Sequence, residues 1–277
     1  MVNKDSVLIV ILNYQTYDMT LRLVEMLQKL EYSNYQVLVI DNASSNASAE
    51  ILAKDAKEKG YLFHSNVRNS GYAAGNNVGI RYAIKNNFEY SWILNNDVEL
   101  CDQQILQKMV RILQDNPDVG AVGPKIYDME KEVCSPYCNR PTRWSMTLGV
   151  LAEKKYREKQ NDISQKVYRV HGCSMLLRNS VMQQIDCMDE RTFLYYEEDI
   201  LAERMRQVDS SFYYCAQANI IHMESSTVKK TDRTRGKAKI KIVMRSMTIY
   251  LKDYRRYDPL STAICKIFKR LILQIKG

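Results

Sequence analysis

The sequence predicts an α/β fold in which helices flank a mostly parallel central sheet. Continuous apolar runs such as Val7–Leu12 and Tyr35–Ile40 are rich in β-branched residues, which is typical of strands that are covered on both faces. Helical patterns of roughly 10–15 residues separate these runs. Strands that alternate with helices of this length favour parallel βαβ units.

The alternation can be followed along the chain. Apolar residues at helical spacing predict a first helix, and Gly60 marks the end of a second. Residues 128–166 are polar and aromatic, and we interpret them as a long loop or small subdomain. The predicted strands cover residues 7–12, 35–40, 61–64, 90–94, 119–127, 167–178, 212–216 and 220–222, and the predicted helices cover about 19–30, 48–59, 71–86, 102–115, 197–208 and the chain from 234 onward.

Length and charge divide the chain into two parts. Its 277 residues, 45% of them hydrophobic, are enough for a domain at residues 1–228, with a nucleotide-binding half (1–127) and an acceptor half (128–228). Residues 229–277 form a basic helical extension with 15 Lys and Arg against three Asp, which indicates a local contact with an anionic surface.

The N-terminal residues and the cysteines bear on the compartment. No basic, apolar and cleavable leader is present, and no apolar run of about 18 residues occurs, so we expect a cytoplasmic protein without a spanning helix. The seven cysteines are an odd number, and no second pair completes a metal site with Cys134 and Cys138. We therefore expect reduced thiols.

Polar clusters follow three of the predicted strands: Asn13-Tyr14, Asp41-Asn42 and Asn95-Asn96-Asp97. In a parallel sheet the carboxyl ends of the strands meet at one edge, where ligands bind. A carboxylate such as Asp97 at that edge can hold a divalent cation against nucleotide phosphates. The competing interpretation is ordinary turn chemistry, since Asn and Asp favour turns.

Two common nucleotide motifs are absent. A dinucleotide-binding fingerprint would place glycines after the first strand, where this chain has Asn13-Tyr14-Gln15, and a Walker A lysine is also missing.

Six motifs follow one another in a fixed order: Asn13-Tyr14, Asp41-Asn42-x-Ser44, Asn69-x-Gly71 with Ala74-Gly75-Asn76-Asn77, Asn95-Asn96-Asp97, Phe193-Leu194-Tyr195-x-Glu197-Glu198, and Ile221-His222. Together they resemble family 2 glycosyltransferases of the GT-A fold, most closely the bacterial branch that includes rhamnosyltransferases. The resemblance covers about residues 5–225. It implies that a sugar moves, with inversion, from a UDP- or dTDP-sugar such as dTDP-rhamnose to a hydroxyl of a glycan or lipid-linked acceptor in cell-surface polysaccharide assembly.

The resemblance implies a divalent cation, Mn²⁺ or Mg²⁺, held by Asp97 and His222. Such an ion neutralises the negative charge of a departing nucleoside diphosphate. Asn95 takes the first position of the family's Asp-x-Asp motif and supplies a neutral oxygen instead of a carboxylate. For His222 the alternative is a core or turn histidine.

The resemblance also implies a catalytic base for the acceptor hydroxyl, which an inverting displacement needs on the face opposite the leaving group. Glu198 takes this position, while Glu197 and Asp199 stay open as alternatives. Acidic residues also favour helix N-termini without any catalytic role.

The resemblance assigns the remaining residues to the nucleotide-sugar or to the acceptor. Asp41 is expected to accept a hydrogen bond from the imide N–H of uracil or thymine, Tyr14 to pack on the base or ribose, and Arg68 to face the diphosphate. His171-Gly172-Cys173 resembles the segment beneath the acceptor, with Cys173 as a packing residue. The predicted nucleotide-sugar-binding residues are Asn13, Tyr14, Asp41, Arg68, Asn69, Gly75, Asn77, Asn95 and Asn96.

The basic extension has the pattern of an amphipathic helix on an anionic membrane: Lys266, Lys269 and Arg270 interleave with apolar residues between Ile264 and Ile275. A solvated helix face or a homodimer contact would give the same pattern. We expect the protein at the inner face of the cell membrane, beside a lipid-linked acceptor.

Two other functions are considered. A sugar-1-phosphate nucleotidyltransferase would show a Gly-rich signature with Arg and Lys after strand one, which residues 13–16 lack. A nucleic-acid-binding protein would use the basic extension but leave the acidic edge without a role, so no nucleic-acid partner is expected.

Overall fold

The computed structural model of the protein describes residues 3–147, 161–223 and 233–275. The N-terminal elements are β1 (Asn3–Asn13), α1 (Tyr17–Leu27), β2 (Tyr35–Asp41), α2 (Ser48–Lys59), β3 (Leu62–Ser65), α3 (Tyr72–Lys85), β4 (Phe88–Asn95), β5 (Val98–Leu100), α4 (Ile105–Asp115) and β6 (Val119–Tyr127). They are followed by β7 (Gln165–Val167), β8 (Ser174–Arg178), α5 (Asn179–Gln184), α6 (Glu197–Arg206), β9 (Ser211–His222), α7 (Arg233–Ile249), a π-helical turn (Tyr250–Tyr254) and α8 (Pro259–Ile275).

The strands form one open, mixed sheet in the order β3-β2-β1-β4-β8-β6-β9-β5, with β7 also paired to β9. The pairs among β1, β2, β3 and β4 are parallel, as the βαβ pattern predicts. β8 is antiparallel to both β4 and β6, and β5 and β7 are antiparallel to β9. The α/β fold is confirmed. Its parallel character belongs mainly to the first half, where helices connect consecutive strands.

Helices cover both faces of the sheet, which explains the continuous apolar runs. In β1, Val7, Ile9 and Ile11 pack on the face covered by α1, α2 and α4. Leu8 and Val10 pack on the opposite face, against α3, α5 and α6. All five side chains are fully buried, so an unpaired polar residue at any of these five positions would be destabilising.

The predicted strands of the second half differ from the structure in number and bounds. The expected strands at 212–216 and 220–222 are one strand, β9, whose register with β6 shifts between Pro124 and Lys125. The expected extended segment at 167–178 contains only the end of β7 and the whole of β8. Of the expected loop at 128–166, residues 148–160 lie outside the described ranges.

The basic extension packs on the rest of the protein. Met247, Tyr250, Leu251 and Cys265 form a buried cluster with Ile200 of α6. The described part of the chain contains no helix that is long and apolar enough to cross a membrane. Lys229 and Lys230, which contribute to the predicted basic surface, lie outside the described residues.

Candidate active site

The predicted polar clusters meet at one edge of the sheet. Asn13 is paired with Asp41 in the register of β1 and β2, and Leu12 with Asn95 in that of β1 and β4. Asn13 Nδ2 donates a hydrogen bond to Asp41 Oδ1 at 2.7 Å. Ser44 donates its backbone N–H to Oδ2 at 2.9 Å and its hydroxyl to Oδ1 at 2.6 Å. Both carboxylate oxygens of Asp41 are therefore held in place.

The burial of Asp41 bears on its predicted contact with a base. Its side chain is 0% exposed. A carboxylate oxygen can accept a second hydrogen bond. An imide N–H can reach an oxygen of the buried Asp41 only if the neighbouring atoms move. The contact stays a prediction. In the structure, Asp41 fixes the start of the loop that follows β2.

A hydrogen-bonded chain joins this edge to α1. Asn96 Nδ2 donates to Thr16 Oγ1 at 2.8 Å and to Thr20 Oγ1 at 2.9 Å, and the Thr20 hydroxyl donates to Asn13 Oδ1 at 2.9 Å. These two threonines were not among the predicted site residues. The available signal was their position shortly after the first polar cluster, Asn13-Tyr14.

Tyr14 and Arg68 are open to a ligand. The side chain of Tyr14 is 47% exposed. Arg68 is exposed, and its Nε donates to Ser70 Oγ at 3.2 Å.

The Asn69–Gly71 segment connects the nucleotide-binding half to the loop before α6. Asn69 Oδ1 accepts hydrogen bonds from the Gly71 N–H and from Asn42 Nδ2, both at 3.0 Å. Gly71 has a φ of +99°, and a Cβ there would lie 2.3 Å from the Phe193 carbonyl oxygen. The Tyr72 N–H donates to that same oxygen at 2.9 Å. Only glycine allows this approach.

Gly75 and Asn77 lie inside the protein and not at the open edge. A Cβ on Gly75 would come within 2.7 Å of the Leu12 side chain, so this glycine allows α3 to pack on β1. Asn77 is fully buried and exchanges hydrogen bonds of 2.8 and 3.0 Å with the backbone of Met188. Both residues were predicted to bind the nucleotide-sugar. In the structure, Gly75 instead allows close helix packing, and Asn77 holds the Met188 backbone.

Asp97 and His222 come together because β5 pairs with the end of β9. Their nearest atoms, Asp97 Oδ1 and His222 Nε2, are 3.3 Å apart. The potential ligand atoms of His171, Cys173 and His222 all lie within 4.8 Å of one another. The two imidazole ring centroids are 5.2 Å apart.

These residues fit a divalent cation. Carboxylate oxygen and imidazole nitrogen are common ligands of such ions, and His222 Nε2 is buried without a hydrogen-bond partner among the described residues. Burial lowers the pKa of His171 to about 4, against the opposing charge of Glu198, so this neighbouring imidazole is neutral near pH 7. Burial raises the pKa of the Cys173 thiol, which suits the expected packing role.

The acids at the start of α6 follow two residues in left-handed conformation. Tyr195 has a φ of 73° and Tyr196 a φ of 68°. Such values are uncommon outside glycine and persist only where the surrounding structure enforces them. Tyr196 stacks on Tyr250 of the π-helical turn, with ring centroids 5.5 Å apart.

The three acids have different surroundings. Asp199 lies 3.2 Å from Arg169 Nε in an ion pair. Glu197 is buried, and this burial, with the charge of Glu198 adding to it, raises the pKa of Glu197 to about 8. Glu198 is half-buried, and its Oε1 accepts the N–H of Gly172 at 2.8 Å. Glu198 is therefore the acid that is both oriented by the backbone and accessible.

A cleft of about 630 Å³ opens beside these acids, a volume within the usual range of small-molecule sites. Asn95, His171, His222 and Glu198 line it, so one predicted metal ligand, His222, shares a cavity with the predicted base. On the other side it is lined by α7 and α8, through Lys239, Val243, Met247, Lys269, Ile272 and Leu273.

The sequence did not predict this helical wall, nor the two lining residues Tyr137 and Arg169. Arg169 stacks its guanidinium 3.7 Å from the ring centroid of Tyr137. Tyr137 falls in the segment interpreted as a long loop or small subdomain, and Arg169 belongs to none of the six motifs. The pattern of the extension was visible in the sequence, but it indicated a membrane and not a cleft.

The sequence profile of Glycosyl transferase family 2 matches residues 6–186, which is more than half of the chain. The chain belongs to this family. The prediction made from the six motifs is confirmed, and the protein is a glycosyltransferase with a GT-A-like fold. This result decides among the three functions that the sequence left open.

Individual relatives agree with this assignment. The chain is 26% identical over 274 residues to the low-salt glycan biosynthesis hexosyltransferase Agl10 of Haloferax volcanii, covering 96% of this chain and 79% of the relative. It is 27% identical over 183 residues to the dTDP-rhamnosyl transferase RfbF of Shigella flexneri, covering 65% of this chain and 57% of the relative. The structure resembles the mannosyltransferase PcManGT of Pyrobaculum calidifontis in complex with GDP-Man and Mn²⁺, with a TM-score of 0.60, 14% identity, and coverage of 94% of this chain and 67% of that one.

Proposed function

We propose that the protein is an inverting, divalent-cation-dependent glycosyltransferase that moves a sugar from a UDP- or dTDP-sugar to a hydroxyl of a glycan or lipid-linked acceptor. One observation carries the proposal: His222, which lies beside Asp97, and Glu198 line the same cleft. An inverting displacement needs leaving-group stabilisation and a base around one reacting carbon.

Each residue has a distinct role in this proposal. Asp97 and His222 would hold Mn²⁺ or Mg²⁺, which when bound supplies Lewis-acid neutralisation of the departing diphosphate. Glu198 removes the proton from the acceptor hydroxyl, and its hydrogen bond from Gly172 fixes the orientation of the carboxylate. Glu197, with its pKa raised to about 8, is mostly protonated near pH 7 and does not compete as a base.

Two relatives bear on the identity of the donor. The resemblance to RfbF over part of its length favours dTDP-rhamnose, whereas the resemblance to Agl10 over most of this chain favours a hexose in general. UDP-glucose, UDP-galactose and UDP-N-acetylhexosamines complete the set of donors to compare.

The test is a panel of UDP- and dTDP-sugars with Mn²⁺ or Mg²⁺, in which hydrolysis and binding of the donor are measured. We expect one donor class to be turned over, and Asp97→Ala to weaken Mn²⁺ binding in calorimetry as well as turnover. Asp118→Ala is the matched control, since Asp118 forms an exposed ion pair with Lys166 away from the cleft. If no donor is bound or turned over and Asp97→Ala changes nothing, the proposal is wrong.

We further propose that the protein lies on the anionic inner face of the cell membrane, where cell-surface polysaccharide precursors are assembled. The support is an exposed apolar stripe on α8, which we call the α8 stripe; its members recur at helical spacing and bring Lys266 and Arg270 close to it. The α8 stripe consists of Leu260 (71% exposed), Ile264 (43%), Ile267 (58%) and Leu271 (50%).

Co-sedimentation with vesicles tests the membrane contact. Replacing the four α8 stripe residues with Ser should abolish binding to anionic vesicles, while Val67→Ser with Met129→Ser, which changes exposed apolar residues elsewhere, should preserve it. If the stripe variant instead converts a dimer to a monomer in sedimentation analysis and binds vesicles as before, the stripe is a homodimer contact.

A further inference from the structure

Tyr72 is the first residue of α3 and directly follows the Asn69–Gly71 segment of the predicted nucleotide-sugar site. Its half-buried side chain lines the cleft. The proposed roles of Asp97, His222 and Glu198 do not use it. Tyr72 is therefore a polar residue between the donor edge and the cleft whose contribution to the reaction is open to inference.

The Tyr72 hydroxyl connects the two halves of the domain. It donates a hydrogen bond to the Gly172 carbonyl oxygen at 2.5 Å, across 100 positions of the sequence. Burial of this hydroxyl, with the charges of Glu198 and Glu197 adding to it, raises the pKa of Tyr72 well above its ordinary value. The hydroxyl therefore stays protonated near pH 7 and acts as a donor to Gly172.

Gly172 is the residue on which the proposed base rests. Its N–H donates to Glu198 Oε1 at 2.8 Å, and a Cβ on Gly172 would lie 2.4 Å from the same oxygen. The carboxylate therefore lies directly against this part of the backbone. On the far side, the Cys173 carbonyl oxygen accepts the Asn95 N–H at 2.9 Å. The bond from Tyr72 holds the carbonyl group between these two contacts.

The backbone of Tyr72 contacts the other segment that leads to the base. Its N–H donates to the Phe193 carbonyl oxygen at 2.9 Å. Phe193 lies shortly before the two left-handed residues Tyr195 and Tyr196, after which α6 begins. Left-handed conformations of such residues persist only where the surrounding structure enforces them. Tyr72 thus contacts both the glycine that binds the carboxylate of Glu198 and the loop that leads into its helix.

We propose that Tyr72 is a positioning residue that holds Glu198 in place relative to the bound donor. The hydroxyl of Tyr72 fixes the Gly172 carbonyl, and its N–H fixes the Phe193 loop. This inference rests on the proposed function, because Tyr72 acts through the proposed base. A base must lie within hydrogen-bond reach of the hydroxyl that it deprotonates, and a displacement of about 1 Å can lower a rate by about 10²-fold.

Tyr72→Phe tests the inference on the full chain, because it removes only the hydroxyl and keeps the ring and the N–H. The assay is hydrolysis of dTDP-rhamnose, or of whichever donor the panel shows to be turned over, with Mn²⁺. Water takes the place of the acceptor hydroxyl, so no acceptor is needed. We expect kcat to fall by about tenfold or more and the donor Kd to change less than about twofold, since the base and not the donor is displaced.

Tyr82→Phe is the matched control. Tyr82 belongs to the same helix, and its half-buried ring packs on the apolar core on that face of the sheet. Removing its hydroxyl should leave kcat and the donor Kd as in the wild type. Thermal unfolding of both variants shows whether they are folded.

A double-mutant cycle with Glu198→Gln separates positioning of the base from a general effect on the fold. If Tyr72 acts through Glu198, Tyr72→Phe should lower kcat about tenfold in the wild type. In the Glu198→Gln protein it should lower kcat less than about twofold, because no base is left to position. A merely structural role would give the same loss in both proteins.

A second readout does not depend on activity. Protein labelled with [¹⁵N]glycine contains ten labelled residues, and the amide signal of Gly172 is identified by its change in Glu198→Gln. We expect this signal to shift in Tyr72→Phe as well, because the loss of the bond to the Gly172 carbonyl changes the contact between its N–H and Glu198. It should stay unchanged in Tyr82→Phe.

Three outcomes overturn the inference: a wild-type kcat in Tyr72→Phe, an equal loss of kcat in both backgrounds of the cycle, or a Gly172 amide signal that Tyr72→Phe leaves unchanged. In each case the proposed function still holds, provided that Glu198→Gln lowers kcat. If Glu198→Gln keeps full activity, or if the wild type turns over no donor, the proposed function is wrong and the role of Tyr72 is rejected with it.

Discussion

Two regions of the proposed site, the donor edge around Asn13, Asp41 and Ser44 and the acceptor cleft beside Glu198, are built in different ways. At the donor edge, Asn13, Asp41 and Ser44 bond to one another directly at the ends of neighbouring parallel strands. In the cleft, segments that are far apart in sequence meet: Gly172 bonds to Glu198, and the Tyr168 hydroxyl lies 2.8 Å from that of Tyr250.

The difference has an energetic consequence. The donor edge places a carboxylate where all its oxygens have partners. The cleft keeps Glu197 buried with its Oε1 lacking a hydrogen-bond partner among the described residues, beside a second acid and after two left-handed tyrosines. Strain and unsatisfied acids concentrate where chemistry is proposed. Substitutions in the cleft should therefore affect catalysis most, whereas those at the junction with the donor edge should affect stability.

The largest expected effect is that of Glu198→Gln. Without a base, the transfer rate should fall by about 10²–10⁴-fold, while the Kd for the donor stays the same because Glu198 acts on the acceptor. Rapid-quench transfer assays and donor calorimetry measure the two quantities. Glu130→Gln, an exposed change outside the cleft, serves as control. Full activity of Glu198→Gln would exclude Glu198 as the base.

A smaller effect, on stability, is expected from Glu197→Gln. The pKa of Glu197 is raised from 4.5 to about 8 in the folded protein, so between these values the folded state holds a proton that the unfolded state has released. The free energy of unfolding of the wild type therefore decreases as pH rises through this window, by a few kcal/mol. A glutamine at this position does not titrate, so the free energy of unfolding of Glu197→Gln lacks this pH dependence.

Urea unfolding at several pH values measures that contribution. The stability difference between the variant and the wild type should grow in favour of the variant from pH 5 to pH 8. Glu130→Gln, at an exposed position away from Glu197, provides the comparison. A difference that is independent of pH would show that Glu197 does not titrate as expected.

The smallest expected effect is the difference in stability between two matched substitutions, Gly60→Ala and Gly71→Ala. Both glycines have positive φ, which costs an alanine about 1 kcal/mol. An added Cβ at Gly60 meets nothing within 4 Å, but at Gly71 it meets backbone atoms of Phe193. Gly71→Ala should therefore lower the free energy of unfolding at least about twice as much as Gly60→Ala, and only Gly71→Ala should lower the transfer rate.

Thermal and chemical unfolding compare the two variants, with transfer assays on both. Equal losses of stability would show that the contact between residue 71 and the Phe193 loop yields without cost. The donor edge and the cleft would then be less tightly connected than the geometry indicates.

Much of the first half could be predicted from local pattern. Apolar runs specify buried strands, Gly60 ends α2 in a left-handed conformation as expected, and polar clusters after β1, β2 and β4 meet because parallel register brings strand ends together. Asp97, His222 and Glu198 came from motif resemblance; in the structure His222 and Glu198 line one cleft and Asp97 lies beside His222.

Other features depended on tertiary structure. Pattern does not reveal that β8 runs antiparallel between β4 and β6, because strand direction depends on how a long irregular connection returns to the sheet. Nor does it show that Asn77 braces Met188 inside the protein.

The sequence alone determined the α/β class, the family motifs and the set of acids from which the base is drawn, since all of these are short-range features of the chain. Only the tertiary structure showed how the surroundings of Glu198 differ from those of Glu197 and Asp199, because burial and an arginine partner depend on residues distant in sequence. It also placed the basic extension along the cleft. The same alternation of lysines and apolar residues suits a helix on a membrane or a helix packed on the protein. Packing against α6 decides which face of the extension is buried.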